Sequence, residues 1–149
     1  MRHIRTIFLF LGIFLLHFVA KAQVCDDLSA FKDIGPTERL SLVVIDINPD
    51  LLCEQLDVTH LEDKFHFYTI NISELEELYQ IAPEFKKVMK NKFELPTLLF
   101  LDRQKNIIQT FHGNRSSHEI QLLLSYFGNE YYENIPWCKF KKIHQGVEK

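Results

Sequence analysis

The residues of this chain best suited to covalent chemistry are its three cysteines, Cys25, Cys53 and Cys138. No two of them form a C-x-x-C motif, in which one thiol attacks a disulfide and the second releases the product. An odd number of cysteines in an exported chain predicts one disulfide and one free thiol, or an intermolecular bond. At most one thiol is therefore expected to be available for chemistry.

The pairing of these cysteines is not fixed by the sequence, because connectivity depends on the fold. Cys25 and Cys138 lie towards the two ends of the chain, and chain ends are often close together in space. We therefore expect a disulfide between Cys25 and Cys138, which would leave Cys53 as the free thiol.

No metal site and no cofactor are indicated by the remaining polar residues. His112 and His118 could belong to a metal site or a proton relay, but no carboxylate or cysteine is spaced to complete a ligand set. Solvated surface histidines are the simpler interpretation.

The elements that must position these residues follow from the apolar pattern, which alternates between strand-like and helix-like segments. The run at Leu40–Ile47 is rich in β-branched residues and almost continuously apolar, which is typical of a strand buried on both faces. The predicted order is strand, helix, strand, helix, strand, strand, helix, with strands at Leu40–Ile47, Phe65–Ile72, Leu98–Leu101 and Ile107–Phe111 and a last helix from Ser116 to Gly128.

Capping residues and prolines give the helix starts. Asn48 is the predicted cap of the first of these helices, with Pro49 at its first position and Leu51 on its apolar face. Ser73 and Glu76 have the spacing of a capping box. Pro83 should kink or split the helix that follows.

The N-terminus predicts export. The basic leader Met1-Arg2-His3-Ile4-Arg5 precedes an apolar run from Ile7 to Ala20, and Ala20-Lys21-Ala22 is a cleavage signal. The run is shorter than the roughly 20 residues of a membrane-spanning helix, and nothing later is long and apolar enough to span. We therefore predict that residues 1–22 are a cleaved signal peptide and that the mature protein is secreted or periplasmic, or in the ER lumen if the source is eukaryotic.

Charge and length narrow the function classes. Cleavage removes three cations and no acid, so the net charge moves from −3 to about −6. An acidic chain is a poor nucleic-acid binder, which usually needs a basic face. The mature length suits one domain, predicted at 23–128, with a C-terminal extension at 129–149 that the pattern does not assign.

The element order, with Leu95-Pro96-Thr97 leading into the hairpin, resembles the thioredoxin family. The resemblance implies an α/β fold with a central mixed sheet of about four strands, a βαβ unit followed by a ββα unit, flanked by helices. It further implies that Pro96 is the family's cis-proline. Leu95, Pro96 and Thr97 would then line the groove in which the family binds an extended segment of a protein or peptide.

By the same resemblance, Cys53 falls near the family's attacking cysteine, and Leu56 takes the place of the resolving one. A mixed disulfide at Cys53 could then be released only by an external thiol. Asp50 and Glu54 oppose ionisation of the Cys53 thiol by like charge, and a buried structural cysteine is an alternative.

Two hypotheses follow from these residues. The favoured one is a non-catalytic binding module that uses the groove beside Pro96. The alternative is a monothiol thiol–disulfide oxidoreductase or isomerase that acts through Cys53.

Overall fold

The computed structural model describes residues 25–33, 35–56, 61, 63–90 and 94–145. In these ranges five strands form one mixed sheet in the order β1-β3-β2-β4-β5. The strands are β1 (Cys25–Asp26), β2 (Leu40–Asp46), β3 (Phe65–Asn71), β4 (Thr97–Leu101) and β5 (Ile107–His112). The predicted α/β class with a mixed central sheet is confirmed.

The strand directions agree with a βαβ unit followed by a hairpin. β2 runs parallel to β3, and β4 is antiparallel to both β2 and β5. The sequence predicted about four strands, and the fifth is β1, which pairs in parallel with β3 through only two residues. A strand this short carries no readable alternation, which is why the sequence pattern missed it.

Six helices cover the two faces of the sheet. Their bounds are α1 (Leu28–Lys32), α2 (Pro49–Gln55), α3 (Leu75–Ile81), α4 (Pro83–Met89), α5 (Ser117–Gly128) and α6 (Trp137–Gln145). Two short 3₁₀ turns, at Ile72–Glu74 and Tyr131–Glu133, complete the described secondary structure. Residues of α2, α5 and α6 pack on one face, and residues of α1, α3 and α4 pack on the other.

Both faces of the central strands are apolar because successive side chains of a strand point to opposite sides. In β2, Leu42 and Val44 join the core beneath α2 and α5, while Val43 and Ile45 join the core beneath α3 and α4. All four are almost completely buried. The prediction of a strand buried on both faces is confirmed.

The predicted helix starts are partly right. Pro49 is the first residue of α2, but the side chain of Asn48 makes no capping hydrogen bond. The capping box lies two residues earlier than predicted, because the Asn71 side chain accepts from Ser73 N–H and the Glu74 side chain accepts from Asn71 N–H.

The predicted break at Pro83 and the predicted start of the last helix at Ser116 are confirmed. Pro83 separates α3 from α4 and is the first residue of α4, where its missing N–H costs no helical hydrogen bond. Ser116 caps α5 by accepting from Glu119 N–H at 3.1 Å.

The C-terminal segment, which the sequence pattern left unassigned, belongs to the core. The Tyr126 hydroxyl donates to the Ile135 carbonyl at 2.5 Å, and the Trp137 ring lies 6.0 Å from that of Phe111. Phe140 is 2% exposed within the core beneath α5. α6 is therefore held by aromatic packing against α5 and β5.

The predicted signal peptide lies outside the described residues. Within the described residues, none of the helices has the length and hydrophobicity to cross a membrane.

Candidate functional site

The cysteines are paired differently from our expectation. Cys25 forms a disulfide with Cys53, with their Cα atoms 6.6 Å apart, and Cys138 is an exposed free thiol. The expected Cys25–Cys138 bond is therefore wrong. The reason is topological: Cys25 lies on the edge strand β1, and α2 lies over the adjacent strands β2 and β3, whereas Cys138 lies on α6, which packs against α5.

This pairing also overturns the expectation that Cys53 has no internal partner thiol. Cys53 is the fifth residue of α2 and is half-buried, and Cys25 is 4% exposed in the core that also contains Leu56. The disulfide thus joins the edge strand to the helix through an apolar environment.

The segment before β4 has the predicted cis proline. The Leu95–Pro96 peptide bond is cis. Leu95 and Pro96 are half-buried, so a partner can reach them, whereas Thr97 is completely buried. Of the three residues predicted to line a binding groove, Thr97 therefore cannot touch a partner directly. It can only support the residues above it.

Hydrogen bonds hold this segment against the end of β5. Gly113 N–H donates to the Pro96 carbonyl at 2.9 Å and to the Glu94 carbonyl at 3.3 Å. The Thr97 hydroxyl donates to the same Glu94 carbonyl at 2.8 Å. Because a hydroxyl has only one proton, Thr97 Oγ1 accepts from Nδ1 of His112, 2.9 Å away, which assigns the Nδ1 proton of that ring.

Gly113 fits this position because its backbone has φ +79°, in the left-handed region. A Cβ atom at Gly113 would lie 2.9 Å from Oε2 of Glu94. The exposed Glu94 carboxylate therefore lies directly against the glycine, beside Pro96.

The loop between β2 and α2 and the first turn of α2 add two exposed apolar side chains. Ile47 is 69% exposed and Leu51 is 50% exposed. The loop is fixed because Asn71 Nδ2 donates to the Ile47 carbonyl at 2.7 Å and Ile47 N–H donates to the Asp46 carboxylate at 2.8 Å. The sequence pattern placed Leu51 on the apolar face of α2, and this prediction is wrong.

The strand register brings this loop beside Pro96. Ile45 pairs with Thr97 across β2 and β4, so the next residues along the two strands bring Ile47 towards Leu95. We call the combined patch of Ile47, Leu51, Leu95, Pro96 and Gly113 the Pro96 surface. The sequence predicted its two central residues, Leu95 and Pro96, and missed Ile47 of the β2–α2 loop and the exposure of Leu51 in α2.

The disulfide lies well away from Pro96 itself, although Cys53 follows Leu51 by two residues in α2. In the sheet order three strand spacings separate β1 from β4, a distance of about 14 Å. Along the strands, Cys25 is in line with Leu42, and Pro96 lies beyond the Ile45–Thr97 pair, which adds about 13 Å. The Cys53 sulfur, bonded to Cys25, therefore does not face Pro96.

An ion-pair cluster stands at the start of α5, just after Gly113. The Glu119 carboxylate accepts from Arg115 at 2.5 Å and from Lys141 of α6 at 2.9 Å. The hydrogen bond from Lys141 and the nearby positive charges hold the pKa of Glu119 below its usual value. Both cations are thus already paired.

A second polar cluster lies near the amino ends of the parallel strands. Lys105 Nζ donates to Ser41 Oγ at 2.6 Å and lies 5.4 Å from the centroid of the Tyr68 ring. Burial lowers the pKa of Lys105 and raises the pKa of Tyr68 to about 12. Ser41 and Tyr68 are completely buried, so this cluster presents no hydroxyl to a substrate.

The expectation of two solvated surface histidines holds for His118 only, because His112 is half-buried. His112 bonds to Thr97, as described above, and His118 is exposed in the first turn of α5. Within the described ranges, no three histidine, cysteine or acidic side chains come together as a metal-ligand set.

Comparisons with known proteins support the fold only. No protein-family model and no curated protein matches the sequence. Among solved structures, the chain is similar to a thioredoxin-fold protein from Helicobacter pylori, with 20% identity, a TM-score of 0.58 and coverage of 87% of this chain and 92% of that one. Another match is the exposed lipoprotein thioredoxin of Streptococcus pneumoniae, with 10% identity, a TM-score of 0.37 and coverage of 58% and 84%. The first similarity, the sheet order and the cis proline before β4 together show that this chain has a thioredoxin-like fold.

Proposed function

We propose that this protein is an exported, non-catalytic binding module that holds an extended segment of a protein partner against the Pro96 surface. The observation that carries the proposal is the distance between the Cys25–Cys53 disulfide and Pro96. The cysteine nearest the family's catalytic position is bonded to the edge strand, and the surface beside the cis proline has exposed apolar side chains instead of a thiol.

The backbone around Leu95 supports strand-like binding. The carbonyls of its two neighbours, Glu94 and Pro96, both accept from Gly113, and within the described residues Leu95 belongs to no strand pair. A peptide that lies along this segment would gain main-chain hydrogen bonds from Leu95, while its side chains reach the apolar residues on either side.

The exposed apolar residues support the same location. Four large hydrophobic residues are exposed in the described chain, namely Ile47, Leu51, Tyr131 and Ile143, and two of these lie on the Pro96 surface. Neighbouring exposed apolar side chains, unlike single ones, are typical of binding surfaces.

Export is proposed from the sequence of residues 1–22. A disulfide between Cys25 and Cys53 is consistent with a compartment in which disulfides persist. N-terminal sequencing of the exported protein tests this part of the proposal, with Gln23 as the expected first residue.

A second candidate function, thiol–disulfide exchange, is favoured by one observation: Cys25 gives Cys53 the internal partner that the sequence did not reveal. In the reduced pair, the Cys53 thiolate would attack a substrate disulfide and expel one substrate thiol. Cys25 would then attack the mixed disulfide, release the second substrate thiol and restore the Cys25–Cys53 bond. An external dithiol would supply the two electrons that reduce the pair again.

The surroundings of Cys53 do not favour this chemistry. A catalytic thiol is normally ionised by a helix N-terminus or an adjacent cation. Cys53 lies in the second turn of α2, next to Glu54 and one turn after Asp50, so its neighbours in the helix oppose the thiolate. Non-catalytic binding is therefore the function we favour.

The deciding experiment measures binding and catalysis on the same variants. A set of fluorescent nine-residue peptides with apolar, β-branched centres serves as the probe, and affinity is measured by anisotropy. We expect the variant Ile47→Ser/Leu51→Ser to lose at least tenfold in affinity. The matched control Ile143→Ser, which also removes an exposed isoleucine, should bind like the wild type.

Reduction of a small disulfide substrate by dithiothreitol is followed in parallel, and we expect no acceleration by the protein. If peptides bind equally well to all variants, or to none of them, the binding proposal is wrong. Acceleration that disappears in Cys25→Ser and in Cys53→Ser would establish the second candidate instead.

A further inference from the structure

We infer that the segment held on the Pro96 surface carries lysine or arginine beside its apolar residues. This inference rests on the proposed function and adds the chemical class of the partner. It starts from the charges that surround the five residues of the surface.

The unpaired charges at this end of the sheet are acidic. Glu94 is exposed, and its carboxylate lies against Gly113. Asp50 is exposed in the first turn of α2, between Ile47 and Leu51 in the loop and helix that supply the apolar side chains. Neither carboxylate forms an ion pair with a described residue.

A third carboxylate, that of Asp46, stands at the end of β2. It accepts from Ile47 N–H, and it follows Ile45, which pairs with Thr97, the residue after Pro96. A carboxylate with one backbone partner keeps further acceptor positions for a cationic donor. The apolar patch is thus bordered by acids on the β2–α2 side and on the β4 side.

Of the nearby described cations, two are already paired and a third lies in a separate groove. Arg115 and Lys141 share Glu119, and the Arg115 guanidinium also lies 4.9 Å from the centroid of the Phe111 ring. Lys90, four residues before Glu94, lines a separate groove of about 290 Å³ between α3 and α4, together with Glu76 and Tyr79. Among the described residues, no cation forms an ion pair with Glu94, Asp50 or Asp46.

Acids that border an apolar patch discriminate between partners by charge. A cationic residue on the bound segment would gain attraction in a partly desolvated position, and an acidic residue there would be repelled. Each exposed pair contributes modestly, so three carboxylates should favour a cationic over an acidic segment by roughly three- to tenfold.

The test uses three synthetic nine-residue peptides with one shared apolar centre, flanked by lysine, glutamine or glutamate. Their affinities for the full chain are measured by anisotropy at pH 7.5, in low and in high salt. We expect the lysine peptide to bind best and the glutamate peptide worst, and we expect the difference to shrink as salt screens the charges.

Glu94→Gln should weaken the lysine peptide by about two- to fivefold and leave the glutamine peptide unchanged. The matched control Glu133→Gln removes an exposed acid from the 3₁₀ turn after α5, away from the Pro96 surface, and should change neither affinity.

The outcomes separate this inference from the proposed function. Equal binding of the three peptides, with loss of all three in Ile47→Ser/Leu51→Ser, would overturn the charge preference and leave the binding site in place. The charge preference would also be overturned if Glu133→Gln weakened the lysine peptide as much as Glu94→Gln does. Binding of no peptide would remove the proposed function itself.

Discussion

The β1 edge of the sheet and the Pro96 end of the sheet are held together in different ways. At the edge, the two residue pairs between β1 and β3 are reinforced by a covalent bond from Cys25 to Cys53 within an apolar core. At the Pro96 end, hydrogen bonds from Gly113 and Thr97 fix the chain, and exposed apolar residues surround it. In this thioredoxin-like fold a disulfide therefore joins one region covalently, while hydrogen bonds fix the other.

Removing the disulfide tests most directly whether the two regions are independent. The bond closes a loop of 28 residues, and its loss in Cys25→Ser/Cys53→Ser should lower the free energy of unfolding by roughly 3 to 4 kcal/mol. Urea unfolding of the oxidised wild type and the variant measures the difference, and the reduced wild type serves as the control. At urea concentrations below the unfolding transition, the variant should bind the peptides as tightly as the wild type. A parallel loss of affinity would mean that the two regions are coupled.

A substitution at the other region should have a smaller effect on stability and a direct effect on binding. Gly113→Ala forces a side chain into the left-handed region, at a cost of about 1 kcal/mol, and pushes the Glu94 carboxylate aside. Urea unfolding curves measure the cost in stability. The affinity for the lysine peptide measures the effect on binding. Gly35→Ala is the matched control, because its added Cβ would meet no atom within 4 Å. Equal costs for the two substitutions would contradict our account of Gly113.

The smallest expected effect concerns the ion pairs behind the Pro96 surface. Because the folded protein lowers the pKa of Glu119 below its ordinary value of 4.5, ionised Glu119 stabilises the fold above that pH, and this contribution is lost as the pH falls through the lowered value. Glu119→Gln should therefore cost about 0.5 kcal/mol at pH 7 and progressively less in acid. Thermal unfolding from pH 7 to pH 3 measures it, with the exposed acid Glu84 changed to Gln for comparison. A cost for Glu119→Gln that stays constant with pH would show that the charge is not responsible.

The sequence predicted the elements whose local pattern decides their structure. The double-sided burial of Leu40–Asp46 follows from its β-branched composition, and the break at Pro83 follows from the missing proline N–H. The cis state of Pro96 was implied by the family resemblance alone, since X-Pro bonds are mostly trans.

The sequence could not predict what depends on distant segments meeting. The partner of Cys25 is decided by the pairing of β1 with β3, which only two residues establish. The exposure of Leu51 is decided by which side of α2 packs on the sheet, and Leu52, Cys53 and Leu56 occupy that side. Likewise the packing of Trp137 and Phe140 is visible only when α5 and β5 are placed together.

The position of Cys25 also determines how the protein can be handled in a binding assay. A group attached ahead of Cys25 starts at the β1 edge of the sheet, three strand spacings from β4. The disulfide to α2 holds this edge in place. A tag or sensor-chip attachment at that point keeps Ile47 and Pro96 facing the solution, where an immobilised protein must meet its ligand.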